Sequence, residues 1–187
     1  MLEKIMAYTP FNEQEQADKA EIVRRLGQGG ELYTREDASA HMTASAWVVS
    51  PDRSKVLLCY HNLYDSWSWL GGHCDGEHDL LQTALREAKE ESGLQEVQPV
   101  SEEIYSLEIL CVDGHVKKGE YLPSHLHLNI TYLLEADPKQ EIRCKPDENK
   151  AVRWFDAKDA GTASSEKWMR ERIYGKLMEK LSQFPPR

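Results

Sequence analysis

The stretch REAKEESGL, residues 86 to 94, sets Glu87, Glu90 and Glu91 at i,i+3 and i,i+4 spacings. A helix through it carries all three carboxylates on one face, and like charges at that spacing destabilise a helix by roughly a few tenths of a kcal/mol per pair. A solvated face tolerates that cost; a divalent cation bound there reverses it. Mg²⁺ and Mn²⁺ take oxygen ligands, so clustered carboxylates are the donor set these ions select. A second group of chemistry-bearing residues is imidazole. His125 and His127 lie two apart in HLHLNITYLLEA, on one face of a strand. His73 follows the pair Gly71-Gly72, and His41 stands just before TASAWVVS. Singly, each is an ordinary hydrogen-bonded or exposed histidine; the four together are not so easily dismissed.

The elements that must position these groups are legible in outline. Residues 79 to 92 read as a helix, with Leu81, Ala84, Leu85 and Ala88 as its apolar stripe and Gly93 as its stop. Ahead of it, TASAWVVS (43 to 50) and SKVLLCYH (54 to 61) read as paired strands joined by a short PDR turn, and SWSWL as a short strand entering the glycine pair. Strands follow at 103 to 112, 125 to 136 and 151 to 155. A helix from Ser164 to Leu181 takes Trp168, Ile173, Leu177 and Leu181 as its apolar positions. Residues 12 to 26 read as another helix, with Asn12 and Glu15 as a capping box and GQGG at its end. That helix is either an extension packed on the main domain or an arm for dimerisation. Strict βαβ alternation is missing, so the expected fold is α/β (α+β) with a mixed sheet between helices. Residues 1–40 form an N-terminal helical extension in this reading, and 41–187 a single domain.

The chain of 187 residues carries a formal net charge of -9. An acidic balance argues against a broad nucleic-acid footprint, and an anionic small substrate would need metal ions or local basic residues to approach. The four cysteines, Cys59, Cys74, Cys111 and Cys144, form no CxxC pair and read as reduced thiols of a cytoplasmic protein. The first residues lack a secretory h-region, and no apolar run approaches a membrane span.

Taken with its flanks, the stretch from Gly72 to Leu94, GHCDGEHDLLQTALREAKEESGL, resembles the Nudix box. Gly72, Arg86, Glu87, Ala88, Glu90, Glu91, Gly93 and Leu94 fall on the family pattern, and the segment from about Thr43 to Asp156 follows its strand–loop–helix order. The resemblance implies a Nudix-type α/β/α sandwich and a MutT-like, metal-dependent hydrolase that cleaves the diphosphate linkage of a nucleoside diphosphate derivative or related organic pyrophosphate. It implies that Glu87, Glu90, Glu91 and the Gly72 carbonyl hold Mg²⁺ or Mn²⁺, and that Arg86 orients the carboxylates. Members often draw a further acid from a later loop, as metal ligand or base; Glu148 in KPDENKAVRW is the candidate, with Glu120 behind it. One position departs: His78 replaces the first glutamate of the pattern, with Glu77 just before it. The family role of that glutamate is structural, so the change is expected to touch the packing of the helix start more than the chemistry. A non-catalytic, nucleotide-binding regulatory module is the alternative, although such modules commonly lose the box glutamates that this chain keeps.

The four histidines resemble metal-site positions of isopentenyl-diphosphate isomerase, which shares the Nudix fold. That resemblance implies a second metal site formed by His41, His73, His125 and His127, and imidazole-rich sites suit Zn²⁺ or another transition metal such as Mn²⁺. The competing reading is a histidine-lined pocket for substrate phosphate. The isomerase reaction itself transfers poorly: Gly71 stands where its cysteine would be, His127 where its strand glutamate would be, and Cys74 lies on the other side of His73. Tyr64, Trp67, Tyr105 and Tyr121 could stack on a base. Capped RNA is disfavoured by the acidic balance without being excluded, and a homodimer is compatible with the sequence.

Overall fold

The computed structural model describes residues 1–117 and 119–186. Lys118 and Arg187, both within the span expected for the main domain, lie outside the described residues. Helices α1 (Leu2–Ala7) and α2 (Glu13–Gly27) precede strands β1 (Ala40–Val49), β2 (Lys55–His61), β3 (Ser66–Ser68) and β4 (Leu70–His73). Helix α3 (Leu80–Ser92) leads to β5 (Gln98–Pro99), β6 (Ser106–Val112), β7 (His115–Lys117), β8 (Glu120–Leu122), β9 (His125–Glu135) and β10 (Asn149–Asp156). The chain ends in α4 (Ala157–Ala160) and a π-helical stretch, Met169–Tyr174, that runs into α5 (Gly175–Leu181).

The sheet is mixed. Its spine runs β10-β2-β1-β9-β5, with β3 on β2, β4 on β1 and β6 on β9; β7 and β8 form a separate hairpin. The long central pair is parallel: β1 and β9 match from Ala40 opposite Leu126 to Val49 opposite Glu135, which sets His41 opposite His127. Antiparallel β4 lies on the other side of β1, with Thr43 opposite His73 and Ala44 opposite Gly72. Three histidines from distant parts of the chain thus share one corner of the sheet.

Alternation along the central strands divides the interior. Met42, Ala44, Ala46 and Val48 of β1 join Leu128, Ile130, Tyr132 and Leu134 of β9 in one core with Leu80, Leu81, Ala84 and Ala88 of α3. On the other face, Trp47, Val49 and Leu133 join a second core with Ile173, Tyr174, Leu177 and Leu181. That second face is apolar at one end only. At the other end it carries His41, Thr43, Ser45, His127, Asn129 and Thr131, most of them buried.

Several sequence-based expectations change in detail. Strand β1 starts at Ala40, so His41 lies inside it rather than before it. The strand expected from residue 103 begins at Ser106, and Tyr105 is buried with its hydroxyl donating to the Leu177 carbonyl; it is not available to a base. Half of the capping box on α2 forms: Asn12 accepts from the Glu15 N–H at 3.0 Å, but the Glu15 carboxylate takes the Phe11 N–H at 2.7 Å. The C-terminal helix is not one regular α-helix from Ser164. A π turn adds a residue to the repeat, and with it Trp168, expected inside, is 47% exposed while Lys176 and Lys180 turn inward. All four cysteines are free, with Cys59 and Cys74 buried. Among the described residues no helix is long and apolar enough to cross a membrane.

Candidate active site

Helix α3 is built to present its carboxylates. Asp79 caps it, accepting from the Leu81 N–H at 3.1 Å, and Glu77 in turn accepts from the Asp79 N–H at 2.8 Å. His78, the position that departs from the family pattern, sets its ring 4.1 Å from that of Tyr33. Gly93 closes the helix at φ 74°, a conformation that glycine adopts without strain. Within this frame the three glutamates part company. Glu87 and Glu91 are buried, 7% and 2% exposed, whereas Glu90 stands on the rim.

Strand β4 lies against the two buried acids. The Gly71 N–H donates to Glu91 Oε2 at 2.8 Å. At Gly72 a Cβ would fall 2.6 to 2.8 Å from the carboxyl atoms of Glu87, so only glycine lets the strand approach so closely. Arg86 donates from Nη2 to the His73 carbonyl at 2.9 Å and lies 3.1 Å from Glu87 Oε1. It steadies a carboxylate and ties the helix to the strand. The structure also brings Glu148 to this edge. Lys145 Nζ lies 3.3 Å from Glu90 Oε2 and 3.1 Å from Glu148 Oε2, bridging helix and loop. The loop is anchored by the Glu148 carbonyl, which accepts from the Asn62 N–H at 2.9 Å, and by Asn149 Nδ2, which donates to the Glu91 carbonyl at 3.0 Å. Glu120 is exposed on the separate β7–β8 hairpin.

The electrostatics are those of an anion cluster short of counter-charge. Burial raises the Glu87 carboxyl to about 7, against the pull of Arg86 and with the push of Glu90 and Glu148. Glu91 is raised to about 8, chiefly by burial and then by Glu87 and Glu148, although the Gly71 N–H opposes the shift. Two hard-oxygen donors converge on the Gly71-Gly72 stretch of β4, beside a rim carboxylate and a loop carboxylate. This donor set fits a divalent cation such as Mg²⁺ or Mn²⁺.

The histidines form a second cluster. Ligand nitrogens of His41, His73 and His127 all lie within 4.8 Å of one another. His125 borders the group, with its Nε2 3.2 Å from that of His127. The Nδ1 atoms of His41 and His125 lie 3.3 Å and 2.9 Å from the carbonyl oxygens of Asp37 and Pro123. A carbonyl oxygen only accepts, so Nδ1 of His41 carries the proton, and burial, which lowers the His41 pKa, favours the neutral ring whose Nε2 keeps its lone pair. His41 is 5% exposed, and among the described residues its Nε2 has no hydrogen-bond partner. Burial, and then the neighbouring imidazoles, push His127 down to about 2, so it stays neutral.

Two contributors escaped sequence reasoning. Lys145 could have been noticed only as the cation three residues before Glu148. Asn129 joins the central strands: its Oδ1 accepts from Thr43 and Ser45 at 2.9 Å each, and its Nδ2 donates to Glu108 at 3.0 Å and Thr131 at 3.1 Å. The signal was the polar residues at every second position of HMTASA and HLHLNIT. Among the four aromatic candidates, Tyr64 and Tyr121 are exposed, and Trp67 is half-buried between Tyr60 and Phe155.

Known proteins resemble this chain. The family model described as the NUDIX domain matches residues 40–178. A curated relative, the m7GpppN-mRNA hydrolase NUDT17 of Xenopus laevis, is 35% identical over 114 residues, covering 58% of this chain and 36% of the relative. The chain therefore spans little more than a third of that relative's length. Among solved structures, a Nudix-family hydrolase from Clostridium perfringens is 25% identical at a TM-score of 0.52, covering 76% of this chain and 97% of its own. An Ap4A hydrolase from C. elegans, at 22% identity and a TM-score of 0.54, covers 76% and 96% respectively and shares the fold. The matched residues take in the glutamate helix, the glycine strand and all four histidines, and the chain belongs to the Nudix family.

Proposed function

We propose that this chain is a metal-dependent hydrolase cleaving the diphosphate linkage of a nucleoside diphosphate derivative or related organic pyrophosphate, by attack of water on phosphorus. The observation that carries the reading is the buried pair Glu87 and Glu91 set against Gly71 and Gly72, where no side chain intervenes. Glu87, Glu90, Glu91 and the Gly72 carbonyl would hold Mg²⁺ or Mn²⁺. A cation held there would neutralise phosphate oxygens and lower the pKa of a water, supplying a hydroxide nucleophile at neutral pH. Arg86 holds Glu87 in place, and Glu148, 3.1 Å from Lys145, is the acid suited to take a proton from the attacking water. Residues 41–187 would be the hydrolase unit, with 1–40 as its extension, and the histidine cluster would hold a second, transition-metal ion.

The substrate class follows from the chemistry of the site, an anhydride with enough charge to need a cation. The relatives' names point to caps and dinucleoside polyphosphates as members of that class, so capped RNA belongs in the test despite the acidic surface. The test is phosphate or nucleotide release from a panel of nucleoside diphosphate derivatives, dinucleoside polyphosphates and capped oligonucleotides. Turnover with Mg²⁺ or Mn²⁺, abolished by a chelator, is expected. Silence across the panel would favour the binding module instead.

A further inference from the structure

We propose that His41, His73 and His127 form a transition-metal site that sets the position of strand β4 and thereby tunes cation binding at the glutamate face. The first half rests on three observations. Three imidazoles converge with ligand nitrogens within 4.8 Å of one another. The buried Nε2 of His41 has no hydrogen-bond partner among the described residues, while its Nδ1 is held by the Asp37 carbonyl, the arrangement that fixes an imidazole lone pair for a metal. The strands that carry His41 and His127 are tied together by Asn129, two residues from His127, which accepts from Thr43 and Ser45 and donates to Glu108 and Thr131. His125 adds a fourth donor beside the triad, 3.2 Å from His127. Neutral imidazoles select Zn²⁺ or a similar ion over Mg²⁺.

The second half, which rests on the proposed role of the glutamate face, comes from β4 itself. Successive residues of one short strand serve both sites. Gly71 donates its N–H to Glu91, Gly72 abuts Glu87, and the His73 carbonyl holds Arg86, which pairs with Glu87. The imidazole of the same His73 belongs to the triad. An ion with metal–nitrogen bonds of ~2.0–2.1 Å needs its tetrahedral ligands only about 3.4 Å apart. Loading therefore fixes His73, and with it the position of β4, relative to His41 and His127. A strand fixed in advance costs less to order when Mn²⁺ binds.

The experiment uses the full chain stripped of metal. Zn²⁺ by calorimetry and Co²⁺ by visible absorption should each bind at one equivalent. That binding should be lost in His41→Ala and His127→Ala, whose folding is checked by circular dichroism, and kept in Glu91→Gln. Mn²⁺ affinity, read by electron paramagnetic resonance, should tighten about 5-fold or more when Zn²⁺ is bound. Failure of the wild-type chain to take Zn²⁺ or Co²⁺, or its capture of inorganic phosphate by the triad instead, would overturn the metal site. Zn²⁺ binding with unchanged Mn²⁺ affinity would overturn the coupling and leave the glutamate reading intact. Absence of any Mn²⁺ binding would overturn the coupling and count against the glutamate face, while the triad's Zn²⁺ would stand.

Discussion

Glu91→Gln is expected to lower turnover by ~10³-fold or more, about 4 kcal/mol of transition-state stabilisation, while the chain stays folded. The side chain is 2% exposed and accepts the Gly71 N–H, a bond that a glutamine oxygen can still accept. What the substitution removes is the charge that a cation needs. Its effect on stability has the opposite sign. Without metal, the folded chain holds Glu91 at about 8, above the ordinary carboxyl value. A raised carboxyl contributes stability that is fully present below its unfolded pKa and is lost as pH rises through the folded one. The metal-free chain should therefore weaken between about pH 4.5 and 8, and Glu91→Gln should flatten that decline. Steady-state kinetics with saturating Mg²⁺, and thermal unfolding of the stripped proteins at pH 6 and 9, check both parts. Retained activity would remove Glu91 from the site, and an unchanged pH slope would contradict its buried, under-compensated charge.

The second large effect lies far from the glutamate face. Glu15 of α2 is fully buried, and its carboxylate meets Lys176 at 3.2 Å, Lys180 at 3.1 Å, the Tyr8 hydroxyl at 2.6 Å and the Ser106 hydroxyl at 2.8 Å. Glu108 shares Lys176 at 3.2 Å. Removing one member of a buried ion network leaves the others charged and unpaired, which costs ~3–5 kcal/mol. Glu15→Ala should lose that much in chemical denaturation. Glu21→Ala, a partly exposed surface control on the same helix that pairs with Arg24 and Arg25, should change stability by only about 0.5–1 kcal/mol. Burial alone would raise the Glu15 carboxyl, but Lys176, Tyr8 and Lys180 bring it below the usual range. Its contribution is thus present above the unfolded value and lost as pH falls through the folded one. A loss no larger than that of Glu21→Ala would mean that α2 is a detachable arm rather than part of the domain.

The legible features were those written in local sequence. REAKEES announced its helix and its charge because both depend on residues three and four apart. Gly93 and the apolar stripe of α3 were legible for the same reason, whereas the Asp79 cap emerged only with the structure. Longer-range facts were readable only as coincidences of residue type. That His41 and His127 face one another depends on a parallel pairing of strands more than 80 residues apart, as in the Thr43–Asn129 contact. The inward turn of Lys176 and Lys180 depends on a π turn, which has no periodic signature, and on Glu15 and Glu108 waiting beneath. Burial of Glu87 and Glu91 but not Glu90 follows from where β4 crosses the helix, and no helical wheel contains that strand.

The central claim is hydrolysis by water attack on phosphorus, and turnover of an active anhydride substrate in ¹⁸O-labelled water tests it most directly. One heavy oxygen per cleavage, carried on a product phosphate by mass spectrometry and absent with chelator or with Glu91→Gln, is the predicted result. An unlabelled product with its diphosphate intact, or binding of the substrate without turnover, would contradict the account.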